Sequence, residues 1–120
     1  MDKALSVAAV MCDPAARAAL AWEHFRDGIE ISWVYRTPDP MGPSAAFLRY
    51  APGATVPRHA HDGFEHILVL EGSQTDDNGR HAAGALVVNP PGTDHAIVSE
   101  DGCLVLAIWQ QPVRFLATGT

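Results

Sequence analysis

The chain has 120 residues, of which 48% are hydrophobic, and a formal net charge of −6 at pH 7. This length fits a single domain with one core and leaves no room for a second core. The acidic balance argues against nucleic acid or an anionic membrane as a partner, because both are bound through a basic face. Two cysteines, Cys12 and Cys103, are too few for a disulfide framework, and we therefore expect a cytoplasmic protein.

The N-terminal part of the chain, residues 1–28, is predicted to form an arm and a short helix that pack on a β-barrel formed by residues 29–120. The first apolar run faintly resembles a signal peptide, but Asp2 and the bulky Met11 before Cys12 do not fit one. The run is also shorter than the roughly 20 residues that span a membrane. We therefore expect neither secretion nor a membrane span.

A short helix is predicted after the arm. Asp13 followed by Pro14 is typical of a helix start, and the alanine-rich residues after them predict about two helical turns. Trp22 and Phe25 are expected to fasten this segment to the barrel.

Repeated short strands dominate the rest of the chain. Residues Ile29 to Arg36 alternate as a strand, and the three prolines and one glycine of residues 37–44 predict a loop long enough to cover a site. Short strands separated by glycine and proline turns, with one helix candidate, indicate an all-β barrel or jelly roll. Further strands are predicted at 45–50, from Glu65 to an end at Gly72, on both sides of the turn 77–79, and at 103–109.

Two histidines and a glutamate lie close together in the segment GATVPRHAHDGFEHILVLEG, residues 53–72. If the segment is extended, His59 and His61 point to the same face, because side chains alternate across a strand. A turn at residues 62–64 would bring the carboxylate of Glu65 to that side. Two imidazoles and a carboxylate on adjoining strands indicate a site for a first-row transition metal.

A fourth candidate ligand, His95, lies in the segment GALVVNPPGTDHAIVS, residues 84–99. A lone His-x-His pair more often faces solvent than binds a metal, so the prediction depends on the two segments together. The spacing of their glycines, prolines, histidines and glutamate resembles the paired motifs of the cupin superfamily. The resemblance implies a cupin-type jelly roll in which His59, His61, Glu65 and His95 bind one metal ion. Ser99 stands where the family usually has asparagine, so hydrogen bonding is expected to differ there.

A longer stretch, FEHILVLEGSQTDDNGRHAAGALVVNPPGTDH with EDGCLVLAIWQQPV after it, looks like the cupin domain of ChrR-type anti-sigma factors and their free-standing relatives. Those relatives include Fe(II) diketone and acetophenone dioxygenases, whereas the ChrR cupin binds zinc. ChrR proteins also carry a sigma-binding zinc domain with a His-x3-Cys-x2-Cys cluster. Cys12 stands alone in this sequence, so sigma binding is not expected.

Three functions are compatible with these ligands. The first is an Fe(II)-dependent dioxygenase-like enzyme that acts on a small carbonyl or aromatic compound, since four ligands on an octahedral ion leave two positions open. The second is a zinc-binding sensor or ligand-binding module without catalysis, and the third is a structural metal site with a filled tetrahedral shell. The divalent ion is expected to be Fe(II) or Zn(II), with Mn(II) and Ni(II) possible.

Glu65 has a second predicted role, as a catalytic base that removes an acidic proton from the substrate. Phe47, Phe64 and Trp109 are candidates for the wall of the pocket. The expected partners are a small-molecule ligand or substrate and a second copy of the chain, because the apolar N-terminal arm is otherwise hard to bury.

Overall fold

The computed structural model describes residues 3–116, and the predicted arm and barrel extend beyond this range at both ends. The described part contains one short helix and ten strands. They are α1 (Pro14–Ala18), β1 (Glu23–Arg26), β2 (Ile29–Tyr35), β3 (Ser44–Tyr50), β4 (Ala54–His61), β5 (Glu65–Asp76), β6 (Gly79–Ala82), β7 (Leu86–Asn89), β8 (Asp94–Ser99), β9 (Cys103–Trp109) and β10 (Val113–Phe115). The all-β prediction is therefore confirmed.

The helix begins as predicted but is shorter. The Asp13 side chain accepts a hydrogen bond from the Ala15 N–H at 2.9 Å, and Pro14 occupies the first turn. The helix ends after five residues instead of two turns. Beyond that end, the indole N–H of Trp22 donates to the Arg17 carbonyl at 3.1 Å, which satisfies one of the carbonyls that a helix end leaves unpaired.

The strands form one curled antiparallel sheet in the order β1-β2-β3-β9-β5-β8-β4-β10, with β6 and β7 also paired to β5. We call β1, β2, β3, β9, β7 and the first half of β5 the large layer. The small layer consists of β10, β4, β8, β6 and the second half of β5. Since β5 belongs to both layers, it carries the sheet around the interior.

The predicted end of β5 at Gly72 is wrong, because the strand continues to Asp76. Gly72 has φ +69°, and a Cβ at this position would lie 2.0 Å from the Gly102 carbonyl oxygen. The register also shifts between Val69 and Glu71. Glycine is needed here because the bent strand passes very close to the neighbouring backbone. Gly72 therefore marks a bend within β5 and not its end.

The main core fills the space between the two layers. Ile31, Leu48, Ile67, Val69 and Val105 are among its buried side chains. A second, smaller cluster lies on the outer face of the large layer, where the N-terminal arm crosses the sheet. It consists of Val10, Phe47 and Leu104, with Leu20, Trp22, Val34, Leu70 and Leu106 packed against them.

The arm is held by a buried arginine. Arg17 donates to the Val10 carbonyl at 2.9 Å and to the Glu71 carboxylate at 2.6 Å. Trp22 packs on the outer cluster as expected. Phe25 is wrong as an anchor, since its side chain is 44% exposed in the unpredicted strand β1. Within residues 3–116, no helix is long and apolar enough to cross a membrane.

Candidate metal centre

The four predicted ligands lie together at one end of the interior. His59 and His61 are on β4, Glu65 opens β5, and His95 is on β8. All four side chains are buried, and one ligand atom from each lies within 4.8 Å of the others. The alternation of β4 turns both of its histidines inward, and the pairing of His59 with His95 in the β4–β8 ladder brings the third imidazole beside them.

The turn between β4 and β5 places the carboxylate. The Phe64 N–H donates to the Gln110 side-chain oxygen at 3.0 Å, and the Gln110 N–H donates to the Phe64 carbonyl at 2.9 Å. The N–H of Gly92 donates to the His61 carbonyl at 2.8 Å and thereby ties the turn before β8 to the end of β4. Backbone hydrogen bonds therefore fix the positions of Glu65 and His61.

The distances between the ligand atoms are short. The Nε2 atoms of His59 and His95 are 3.0 Å apart. The Nε2 of His61 lies 3.1 Å from Glu65 Oε1, and that of His95 lies 3.7 Å from the same oxygen.

The hydrogen-bond partners of the three Nδ1 atoms determine which nitrogen of each ring carries the proton. His59 Nδ1 is 2.8 Å from the Pro57 carbonyl, and His95 Nδ1 is 2.9 Å from Asp76 Oδ2, both of which only accept hydrogen bonds. His61 Nδ1 is 3.0 Å from the Thr93 hydroxyl, whose own hydrogen is donated to the Pro90 carbonyl at 2.6 Å. Each Nδ1 is therefore the donor, and each Nε2 directs a lone pair into the centre.

Glu65 is held as an ionised acceptor. Its Oε1 accepts from the Asn89 amide at 2.9 Å, and its Oε2 accepts from the Trp109 indole N–H at 2.6 Å. Burial favours the protonated carboxyl, but the hydrogen bond from the Trp109 N–H lowers the pKa of Glu65, and donors on both oxygens leave no place for a carboxyl proton. Burial is also the main reason that the pKa of His59 is lowered, which keeps this ring neutral.

The arrangement fits a cation. Three imidazole lone pairs and a carboxylate face one point, and none of them brings a proton to share. His61 Nε2 is buried without a hydrogen-bond partner in the described chain, and the two lone pairs of His59 and His95 would repel each other at 3.0 Å. Buried polar groups of this kind are stabilised by a positive ion between them. The cluster can therefore hold a metal ion.

The family model of the ChrR Cupin-like domain matches residues 10–113 of the chain. The chain belongs to this family of cupins. The predicted resemblance to the cupin superfamily and to ChrR-type domains is thus confirmed.

Two curated relatives are from Cereibacter sphaeroides. The chain is 38% identical over 77 residues to anti-sigma-E factor ChrR, covering 62% of this chain and 36% of ChrR. It is 35% identical over 80 residues to "Putative dimethylsulfoniopropionate lyase DddL", covering 58% of this chain and 34% of DddL. The matches therefore span about a third of the length of each relative.

The fold is also similar to that of an acetylacetone dioxygenase from Acinetobacter johnsonii, with a TM-score of 0.74. The similarity covers 81% of this chain and 72% of that chain at 15% sequence identity. At this identity the comparison shows the shared cupin fold alone.

Several residues that support the ligands of this cupin are missed by the sequence motifs. Asp76 accepts from His95 Nδ1, from the Asn78 N–H at 2.9 Å and from His81 Nε2 at 2.9 Å. Its pKa is lowered, because the hydrogen bonds from His81 and His95 outweigh burial. In the sequence, Asp76 looks like part of the turn at residues 77–79. Nothing in the local sequence indicates that its side chain faces the metal centre. The His81 side chain that donates to Asp76 is itself only 20% exposed.

The three candidates for the pocket wall have different positions. Trp109 contacts the centre through Glu65, and its ring lies 6.4 Å from that of Trp33. Phe47 points to the outer cluster, away from the metal centre, because it alternates with the inward Ala46 and Leu48. Phe64 is 43% exposed and stacks on His66. Only Trp109 of the three is therefore next to the ligands.

Ser99, at the position of the usual asparagine, is fully buried. Its hydroxyl donates to the Ser73 carbonyl at 2.6 Å, and its carbonyl accepts from the Gly53 N–H at 2.7 Å. The serine side chain thus joins β8 to the bent part of β5 and leaves the ligand set untouched.

Proposed function

We propose that this cupin is a metal-dependent enzyme in which His59, His61, Glu65 and His95 hold one divalent ion. Its substrate is a small carbonyl or aromatic compound, and its reaction is dioxygenase-like with Fe(II) as the ion. The observation that carries the proposal is the orientation of three Nε2 lone pairs and one carboxylate oxygen towards a single point. When bound, such an ion supplies Lewis acidity and, as Fe(II), one-electron redox chemistry.

The separations of the donors fit a single ion shared by the four side chains. An ion about 2.1 Å from two donors keeps them about 3.0 Å apart at a right angle and about 3.4 Å apart at the tetrahedral angle. The His59–His95 and His61–Glu65 separations are 3.0 and 3.1 Å, whereas His95–Glu65 is wider at 3.7 Å. All three separations are short enough for the donors to share one ion.

The surrounding side chains suit a planar organic ligand. Trp33 and Trp109 form an aromatic wall, with ring centroids 6.4 Å apart, and Trp109 touches Glu65. Aromatic rings bind flat apolar groups and exclude water from the space next to them. Glu65 is held by donors on both oxygens, which supports its role as a metal ligand. Its predicted role as a catalytic base stays a prediction.

Metal analysis and oxygen uptake test this proposal. Protein purified without chelator should contain about one divalent ion per chain, and the Fe(II)-loaded form should consume oxygen with a β-diketone or a hydroxyacetophenone. Glu65→Gln keeps the size of the side chain and removes its charge. If Glu65 acts only as a ligand, iron-loaded Glu65→Gln should keep part of the activity. If Glu65 is the catalytic base, the variant should lose all activity although iron is still bound.

A zinc-binding role without catalysis is the alternative, favoured by the 38% identity to ChrR. Bound zinc with no oxygen uptake after iron reconstitution would support it. The 35% identity to DddL makes elimination, which needs no redox-active ion, the reaction to assay with the zinc form. A metal-free barrel with unchanged stability after zinc or iron addition would refute both metal-based functions.

We further propose a homodimer that forms through the outer face of the large layer. Leu86 and Val88 of β7 are 59% and 45% exposed there. The neighbouring outward side chains Leu68 and Ile108 are uncharged and partly buried. An uncharged face can pack against a copy of itself across a two-fold axis without charge repulsion.

Light scattering after size-exclusion chromatography tests the dimer. Val88→Glu should produce a monomer, whereas Val98→Glu, on the outer face of the small layer, should leave the dimer intact. A monomeric wild-type protein would refute this contact.

A further inference from the structure

A small pocket lies under the proline-rich loop between β2 and β3, at the end of the barrel that holds the metal ligands. Its volume is about 180 Å³. Trp33, Arg36, Thr37, Ser44 and Pro112 are among the residues that line it. A cavity of about 150 Å³ is large enough for benzene, so a single aromatic ring fits this pocket.

The loop that covers the pocket is firmly built. The Gly42 N–H donates to the Asp39 carbonyl at 2.9 Å, and the Met41 N–H donates to Asp39 Oδ1 at 2.9 Å. A Cβ at Gly42 would lie 2.5 Å from Thr37 Oγ1, which shows how tightly the loop folds on itself. Three prolines in residues 37–44 restrict the backbone further. The pocket is thus a preformed feature of the fold.

Arg36 supplies an available positive charge in this pocket. Its guanidinium lies 4.5 Å from the centre of the Trp33 ring. In the described chain, five arginines form ion pairs, and Arg36 forms none. Asp39 also lines the pocket, but its Oδ1 is engaged by the loop backbone. A guanidinium positioned by an aromatic ring and lacking a carboxylate partner is suited to bind an anion in a bidentate manner.

The pocket is connected to the metal centre by contacts between two tryptophans. Trp33 lines the pocket and packs on Trp109, and Trp109 donates to Glu65. A ligand whose carbonyl end reaches the metal ligands and whose ring lies against Trp33 would have its far end beside Arg36.

We infer that Arg36 and Trp33 form a subsite for an aromatic carboxylate, with Arg36 binding the carboxylate group. The inference deepens the proposed function, on which the link to the metal centre depends, and it narrows the substrate class to anionic aromatic carbonyl compounds. Neutral β-diketones would fill only the half of the site next to the metal.

Benzoate and its neutral counterpart benzamide test the subsite without any metal. Binding to metal-free protein is measured by calorimetry and by the shift of the Trp33 indole N–H signal in NMR spectra. Benzoate should bind about tenfold or more tightly than benzamide, as expected for a hydrogen-bonded charged group. Arg36→Met should abolish this preference, whereas Arg80→Met, which removes the same charge from an exposed pair with Asp101, should preserve it.

Asp39→Asn gives an independent test of whether the charge in the pocket controls anion binding. An asparagine oxygen can still accept from Met41, so the loop is kept while a negative charge is removed from the pocket. Benzoate should then bind more tightly, and benzamide should be unaffected. Equal binding of benzoate and benzamide to the wild type, or an unchanged preference in Arg36→Met, would overturn the subsite.

The link to the metal centre is tested with metal-loaded protein. Benzoylacetone that carries a para-carboxylate should bind more tightly than benzoylacetone itself in the wild type but not in Arg36→Met. Equal binding of the two in the wild type would overturn this link. Metal content is measured in the same samples. Protein that binds benzoate through Arg36 but takes up no metal would refute the proposed function and still support the subsite.

Discussion

Replacing Asp76 by asparagine should weaken metal binding although Asp76 is not itself a ligand. Asp76 Oδ2 accepts the proton of His95 Nδ1 at 2.9 Å, and its charge makes the opposite nitrogen of that ring a better electron donor. Loss of such a partner typically costs 10-fold to 100-fold in metal affinity, or about 1.4 to 2.7 kcal/mol. The asparagine oxygen can still accept from the Asn78 N–H, so the turn should be kept.

The neighbouring residue is a matched control. Asp77 forms an exposed ion pair with Arg58 at 2.8 Å and has no contact with the imidazoles, and such surface pairs contribute about 0–1 kcal/mol to stability. Asp77→Asn should therefore leave metal affinity unchanged. The affinities are measured by competition with a chelating dye for Zn(II), and the unfolding temperatures of the metal-free proteins show whether the fold is intact.

Two results would refute this reasoning about Asp76. One is an Asp76→Asn protein with wild-type affinity for zinc. The other is an equal loss of affinity in Asp77→Asn, which would indicate a general effect of charge instead of the hydrogen bond to His95. A drop in the unfolding temperature of metal-free Asp76→Asn without a change in affinity would assign the aspartate to folding alone.

The remaining predictions concern the ligands and the bend of β5. His95→Ala should lose most of the bound metal while circular dichroism shows the same β structure, because a core of this size does not depend on metal for folding; joint loss of metal and β structure would favour a structural site. A residue other than glycine costs roughly 1–2 kcal/mol in the left-handed conformation. Gly72→Ala should destabilise the protein by more than this, because the added Cβ would also lie 2.0 Å from the Gly102 carbonyl oxygen. Gly53 has φ +86° and open space where a Cβ would lie, so Gly53→Ala should lower stability only by the cost of the left-handed backbone conformation. Urea unfolding compares the two, and equal losses would contradict the close approach at Gly72.

The strand pattern of the barrel could be predicted because it is local. Alternating apolar residues and the turns at 62–64 and 77–79 mark most strands without knowledge of the neighbours. The strands β1 and β10 are not apparent in the sequence, since each has only three or four residues and is defined by its pairing with β2 or β4. Short edge strands depend on their partners more than on their own composition.

Local reasoning failed at Gly72 and Phe47. A glycine followed by polar residues has the pattern of a strand end, but Gly72 lies at a bend where β5 passes from one layer to the other. Phe47 follows the correct alternation, yet which face of β3 turns towards the ligands depends on the curl of the whole sheet. Sequence alternation separates two faces of a strand without telling which one encloses the site.

The cluster of His59, His61, Glu65 and His95 could be predicted from the sequence, because strand alternation places the first two on one face and the spacing of the two segments resembles the paired cupin motifs. Only the tertiary structure showed that Asp76, Thr93 and Pro57 orient the three rings, and that Arg36 lies beside Trp33. The physical reason is the range of the interactions. A ligand pair two residues apart on one strand is determined by backbone geometry, whereas a hydrogen bond between Asp76 and His95 exists only after β5 has bent around the interior.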